Sequence, residues 1–249
     1  MSERARVSLF LVPAVGLVVL LVTAFTGLPH FGHYPGPYGD IINAVAAPQR
    51  HATSAVTPVV FDYRGFDTLG EEFILFAAVM GVSVLLRHLR DEQERPPLDR
   101  ALLHAEVETA AAVRLLCMFL VAPLTVLGIY IVAHGHLTPG GGFQGGVVLA
   151  GAPLMVYLAG RYIAFRQVGP SEMLDLGEGS GAGGFAVVGF VGMLAGAAFL
   201  ENVLPLGSTG SVFSAGTMPV INLCVGLEVA AGLLLIFDEF LEQALIVRA

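Results

Sequence analysis

Six apolar runs dominate this sequence, at residues 7–27, 68–86, 113–133, 143–160, 183–200 and 219–237. Each approaches the about 20 residues that a helix needs to cross the hydrocarbon core of a bilayer. Backbone groups in lipid must bond within the segment, which forces helix, so Pro123 and the many glycines inside these runs do not disqualify them. The expectation is an all-α integral membrane protein with about six transmembrane helices. Composition agrees: 55% of residues are hydrophobic, only 13% are charged, and mean hydropathy is +0.78. A soluble fold of 249 residues would show water many more charged side chains, yet Lys is absent altogether. No polar stretch is long enough to form a soluble enzyme domain. A net charge of −8 argues against a nucleic-acid partner, whose phosphates need a basic face.

The N-terminus, MSERAR followed by an apolar run, has the outline of a signal peptide. The run is too long for an h-region and no clear A-x-A site follows, so it reads as a retained helix. Arginine placement then orients the bundle. With simple alternation of six helices, Arg4, Arg6, Arg87, Arg90, Arg95, Arg100, Arg114, Arg161, Arg166 and Arg248 fall on one side. The positive-inside rule puts that side, and both termini, in the cytoplasm. By this topology Cys117 lies near the inner face and Cys224 near the outer face, too far apart for a disulfide. Two connections are long. An outer segment over residues 28–67 is rich in Pro and Gly and carries His30, His33 and His51, with a weak signal for a short helix after Asp40. The charged stretch 87–108 contains Pro96 and Pro97. It divides the chain into a two-helix unit (1–90), a cytoplasmic linker (91–107) and a four-helix unit (108–249).

Glu228 is the sharpest polar feature, at mid-membrane depth in the sixth run. A charge there costs about 2.5–3.5 kcal/mol on insertion scales. Cys224, Ala231 and Gly232 share its helical face, so small residues let another helix approach and the carboxyl points into protein. It is either an ion or proton site, or a hydrogen-bonded structural carboxyl. A second group is Asp62, Arg64, Asp67, Glu71 and Glu72 at the start of the second run. Thr68 with Glu71 has the spacing of a capping box, and Asp62 can pair locally with Arg64. The surplus of acid also suits a cation entrance. Third comes His134 to Gly146, with Thr138, Pro139, Gly140, Gly141, Gly142, Gln144, Gly145 and Gly146. No strand precedes it and no P-loop Lys follows, so the glycines signal a tight turn and close helix packing rather than phosphate binding. Gly142/Gly146 and Gly192/Gly196 are small-xxx-small pairs. The two histidines have no further ligands nearby for a metal. Asp238, Glu239 and Glu242 close the sixth helix, where solvation is the simplest role and a cation mouth the alternative.

The stretch GHLTPGGGFQGGVVLAGA, residues 135–152, resembles the signature of the B subunit of Mrp/Mnh-type multisubunit sodium/proton antiporters. DYRGFDTLGEEFILFAAVMGV, residues 62–82, is similar to the E-like unit found at the C-terminal end of the large A-type subunit. Together they imply an E-like segment fused ahead of a B-like one. The resemblance implies an accessory subunit rather than an enzyme, with no cofactor, in a multi-pass bacterial cell membrane protein. Its implied partners are large A- and D-type proton-channel subunits and small C-, F- and G-type subunits, with Na⁺ and H⁺ as transported ions. Related subunits occur in membrane-bound hydrogenases. Asp62, Arg64, Asp67 and Glu71 carry over from the E-like pattern, and Thr138, Gly140 and Gln144 from the B-like one. Glu228 and Glu72 are inferred from position alone. The competing readings are a purely structural scaffold subunit and a subunit of a complex I-related membrane-bound hydrogenase.

Overall fold

The computed structural model describes residues 3–28, 32, 36–86 and 109–247. His30, His33, Arg248 and the linker 91–107 lie outside them. Every regular element among the described residues is helical: α1 (Glu3–Thr26), α2 (Tyr38–Arg50), α3 (Val56–Pro58), a π-helical turn (Val59–Tyr63), α4 (Gly65–Leu86), α5 (Ala111–Ala133), α6 (Gly142–Val168), α7 (Ser171–Leu194) and α8 (Met218–Val247). The chain divides into two compact units, Met1–Ile41, which holds α1, and Ile42–Ala249, which holds α3 to α8.

α4, α5, α6 and Met218–Gln243 of α8 are long and apolar enough to cross a membrane, and Ala14–Thr26 is a shorter apolar helix. The all-helical membrane architecture expected from the apolar runs is therefore present. The exterior fits lipid or protein neighbours better than water. Leu85, Leu194 and Phe213 are each more than four-fifths exposed, amid many other bare aliphatic side chains.

α8 is the hub of the second unit, packing against α4, α5, α6 and α7. Its buried side chains Ile221, Val225 and Val229 meet Phe61, Leu69 and Phe185 in one apolar cluster. Leu234 and Leu235 meet Val79, Tyr162, Phe165 and Leu174 in another. Close approach depends on missing Cβ atoms. A Cβ on Gly142 would stand 2.5 Å from Val225 Cβ, and one on Gly146 2.8 Å from Val229 Cβ. Gly145 faces Val132 of α5 in the same way. α6 is thus wedged between α5 and α8 on its glycines, as the small-residue spacing predicts.

Three expectations are corrected. The fourth helix runs on to Val168 rather than ending at residue 160, across a kink at Arg161 (φ 64°, ψ −164°). The fifth begins at Ser171, not at residue 183, because the glycine-rich stretch 177–184 is helical. Glycine weakens a helix in water, but here Gly177, Gly181 and Gly184 let α7 lie directly on Ala231, Glu228 and Cys224 of α8. The same helix stops at Leu194. Gly196 therefore falls beyond it with φ 81°, in the left-handed region and with nothing near its Cβ position. Gly192/Gly196 is not a packing pair.

A buried carboxyl cluster and two polar ends

The face of α4 that carries Gly65, Thr68, Leu69 and Val79 into the protein also carries Glu72. These positions recur at three, four and seven residues, the spacing of one helical face. Glu72 has no exposed surface, and neither does Glu228 of α8. The two carboxyl groups meet at hydrogen-bonding range. None of their four oxygens accepts a hydrogen bond from any other described residue. Glu178 of α7, 3% exposed, lies close enough to act on Glu228 electrostatically, and its Oε1 is also without a partner. Gly181 makes this convergence possible, since a Cβ there would come within 2.6 Å of the Glu228 backbone nitrogen. Three buried carboxyls from three helices thus share one region, with no ion pair to any of them among the described residues. Glu72 and Glu228, so close, cannot both ionise without a counter-charge. The arrangement is able to hold protons, a cation, or each in turn.

The remaining members of the acidic group lie apart from this cluster. Glu71, the neighbour of Glu72, points outward and is exposed. The capping-box expectation fails because α4 begins at Gly65, which puts Thr68 inside it. The Thr68 hydroxyl donates instead to the Val60 carbonyl at 2.6 Å. Nor do Asp62 and Arg64 pair. Asp62 binds Arg50 of α2 at 3.0 Å, and Arg64 donates through Nε to Asp67 at 2.6 Å. The π-turn explains this, because it turns Asp62 inward while Arg64 and Asp67 remain exposed.

Asn202 completes the surroundings of Asp62. It donates through Nδ2 to Asp62 and to the Ala215 carbonyl, and accepts from the Thr217 N–H. Burial pushes the Asp62 carboxyl above its ordinary range, a shift that the Arg50 charge partly offsets. Asp62, Arg64, Asp67, Leu200 and Glu201 line a surface cavity of about 440 Å³.

In the TPGGG segment, Gly140 and Gly141 adopt φ of 135° and 142°, conformations that favour glycine, and lead into α6. The first amide of that helix, Gly142 N–H, donates to Asn222 Oδ1 of α8 at 2.8 Å, so a neighbouring helix supplies the cap. Thr138 donates back to the His134 carbonyl, while Pro139 and Gln144 are exposed. His136 is fully buried, with Nε2 against the Ser211 carbonyl, and burial lowers its pKa. Cys117 and Cys224 are both free.

Sequence reasoning misses four contributors: Glu178, Arg50, Asn202 and Asn222. Glu178 is within its reach, since extending the fifth helix back to Ser171 sets it on the face of Gly181 and Phe185. Asn202 and Asn222 bind partners 140 and 80 residues away, Arg50 meets Asp62 across the π-helical turn, and no local signal marks any of these pairings. Asp238 also departs from the solvated role expected of it. It is 4% exposed and bonds Arg166 at 2.7 Å.

Residues 112–235 match the family described as a domain related to the MnhB subunit of Na⁺/H⁺ antiporter. An uncharacterized protein of Methanocaldococcus jannaschii is 30% identical over 238 residues, spanning 88% of this chain and 87% of that one. A Rhizobium meliloti protein, named as the A/B component of a probable K(+)/H(+) antiporter, is 27% identical over 143 residues. These make up half of this chain but 14% of that longer protein. Among solved structures, one chain of the archaeal membrane-bound sulfane sulfur reductase superposes with a TM-score of 0.71 at 29% identity. The match covers 96% of this chain and 99% of that one. A chain of the Mrp complex from a Dietzia species shares the fold, with a TM-score of 0.70 at 24% identity, over 98% of this chain and 26% of that one. On these matches the chain belongs to the family of proteins related to the MnhB subunit of Na⁺/H⁺ antiporters.

Proposed function

We propose that this chain is an accessory transmembrane subunit of a multisubunit cation/proton antiporter, and that Glu72 and Glu228, with Glu178 beside them, form an exchange site on its cation path. The carrying observation is the pair of fully buried, facing carboxyls with no ion-pair partner among the described residues. Such a pair is costly when ionised and empty, and is relieved equally by a proton or by a monovalent cation, which is the requirement of exchange. Asp62, Arg64, Asp67 and Glu71 belong to the mouth that concentrates cations, supported by the acidic surface cavity around Asp62 and Asp67. Na⁺ is the first cation to test, followed by K⁺, which is named for the Rhizobium relative. Large A- and D-type and small C-, F- and G-type subunits are the proposed partners, with the E-like segment fused ahead of the B-like one. We place both termini in the cytoplasm on the arginine distribution.

A second reading is favoured by the near end-to-end match to a chain of the sulfane sulfur reductase. In it the same subunit serves a redox-linked respiratory complex, and the carboxyl pair couples ion flow to electron transfer elsewhere. Everted vesicles separate the two. Exchange driven by an imposed Na⁺ or K⁺ gradient alone, lost in Glu228→Gln, supports the antiporter. Ion movement only on addition of a reductant supports the redox complex. A scaffold without an ion role predicts unchanged transport by every assembled variant.

A further inference from the structure

The contact between Glu72 and Glu228 fixes the depth of a residue that faces away from it. Glu71 precedes Glu72 on α4, so its backbone stands one residue, about 1.5 Å, from the level of Glu72. Glu228 in turn lies ten residues into the apolar span Met218–Gln243, about 15 Å from its end. Counted along α4 itself, Glu71 is six residues, about 9 Å, inward of Gly65. With a hydrocarbon core about 30 Å thick centred on these spans, both counts put Glu71 about 7–10 Å inside it. Yet Glu71 is exposed, and no described residue forms an ion pair with it. Arg64 and Asp67, which pair with each other, lie nearer the start of the helix.

We infer that the outward face of α4 is covered by a transmembrane helix of another subunit, which presents a hydroxyl or amide hydrogen-bond donor to Glu71. The inference rests on the reading of this chain as one subunit of several, and names where a neighbour docks and by what chemistry.

Three observations carry it. A carboxylate facing lipid at that depth is costly, and Glu is shorter than the Lys and Arg side chains that reach the interface by snorkelling. A donor on a neighbouring helix relieves the cost, since polar side chains in membranes bond across helices. A neutral donor fits better than a basic one, because a guanidinium or ammonium would cancel the negative charge that a cation mouth needs. The surface beside Glu71 is also shaped for a helix. Gly70 and Gly81 have open space at their Cβ positions, and Ala77 and Ala78 are exposed between them, all on the side of α4 that bears Glu71. A neighbouring backbone can come close along that line. Finally, every exposed residue from Phe73 to Met80 is apolar, so Glu71 is the point on this stretch where a neighbour's polar group finds its match.

The test uses the assembled complex, purified through an affinity tag on this chain, with Glu71→Leu and Glu71→Gln compared at rising detergent concentration. A lipid-facing carboxyl predicts that Leu leaves association unchanged or tightens it. The docked helix predicts the opposite sign: Leu retains at least threefold less of one partner subunit, while Gln, which still accepts a hydrogen bond, retains the parental amount. Unchanged or tighter association in Glu71→Leu overturns the inference. Equal loss in both variants would mean a basic partner and overturns the neutral donor. Should Glu71→Leu not insert, a nitroxide on Ile74→Cys, in an otherwise cysteine-free complex, decides. Oxygen collisions several-fold rarer in the complex than in membranes carrying this chain alone support the docked helix, and equal collision rates overturn it. A parental chain that purifies without any other subunit sinks the multisubunit reading itself, whereas a complex indifferent to Glu71→Leu sinks this inference alone.

Discussion

Glu72 of α4 and Glu228 of α8 stand face to face with no exposed surface on either side chain, and no described arginine pairs with them. Burying one uncompensated carboxylate in a membrane protein is already expensive, and burying two side by side is costlier still unless a proton or a cation is held between them. The consequences are distinct for each layer of the molecule.

The first concerns packing. Gly181→Ala places a methyl group 2.6 Å from the Glu228 backbone and 2.7 Å from the Cys224 carbonyl. Overpacking of this kind costs about 1–3 kcal/mol. The α7–α8 contact should loosen, and the thermal midpoint of the detergent-solubilised protein should fall by several degrees. Gly179→Ala, with open space at its Cβ position, serves as the control and should leave the midpoint unchanged or slightly raised.

The second concerns the cap of α6. Asn222→Ala leaves the buried Gly142 N–H without its acceptor, at a cost of about 0.5–2 kcal/mol. Hydrogen exchange at the first turn of α6 should accelerate, while the last turn of α5 stays protected. Equal acceleration in both would mean that Asn222 holds the whole 134–142 turn rather than one amide.

The third concerns pH. Burial lowers the His136 pKa below its ordinary value, with the Ser211 carbonyl opposing the shift. In the unfolded chain the imidazole protonates near pH 6.5, whereas in the folded protein it resists protonation. Stability should therefore be full above that value and decline as pH falls below it. A thermal midpoint that drops between pH 7 and pH 5 in the parent, but drops less in His136→Asn, is the expected result.

The fourth separates mouth from site. Asp62→Asn removes one acidic group from the surface cavity and leaves Arg50 unpaired. The expected effect is a several-fold higher KM for the cation with kcat preserved. Arg64→Gln breaks an exposed pair with Asp67, which is worth at most about 1 kcal/mol, so the thermal midpoint should barely move.

Much of this was legible in the sequence. Apolar run length located α1, α4 and α5 to within a few residues, and the starts of α6 and α8, since lipid permits little else. The depth of Glu228 and the small residues on its face announced its burial. Glycine spacing announced how α6 lies on α8. What escaped was tertiary in origin. Glu72 looked like part of a charged helix start because Thr68 and Glu71 match a cap, yet α4 begins earlier, at Gly65. Glu178 hid in a glycine-rich stretch that propensity reads as loop and that close packing makes helical. The partner of Asp62 proved to be Arg50 rather than the nearer Arg64, a choice made by a π-turn that no local pattern encodes.

Ion exchange at the Glu72–Glu228 pair stands or falls on one experiment. Its most direct test is cation-driven proton exchange in everted vesicles carrying Glu72→Gln, Glu228→Gln, or both, with native gels run on the same membranes. An exchanging pair gives intact complexes in which each single variant loses at least tenfold of the exchange rate and the double variant is no worse than the poorer single. Intact complexes exchanging at the parental rate would contradict it and leave the pair a structural contact between α4 and α8.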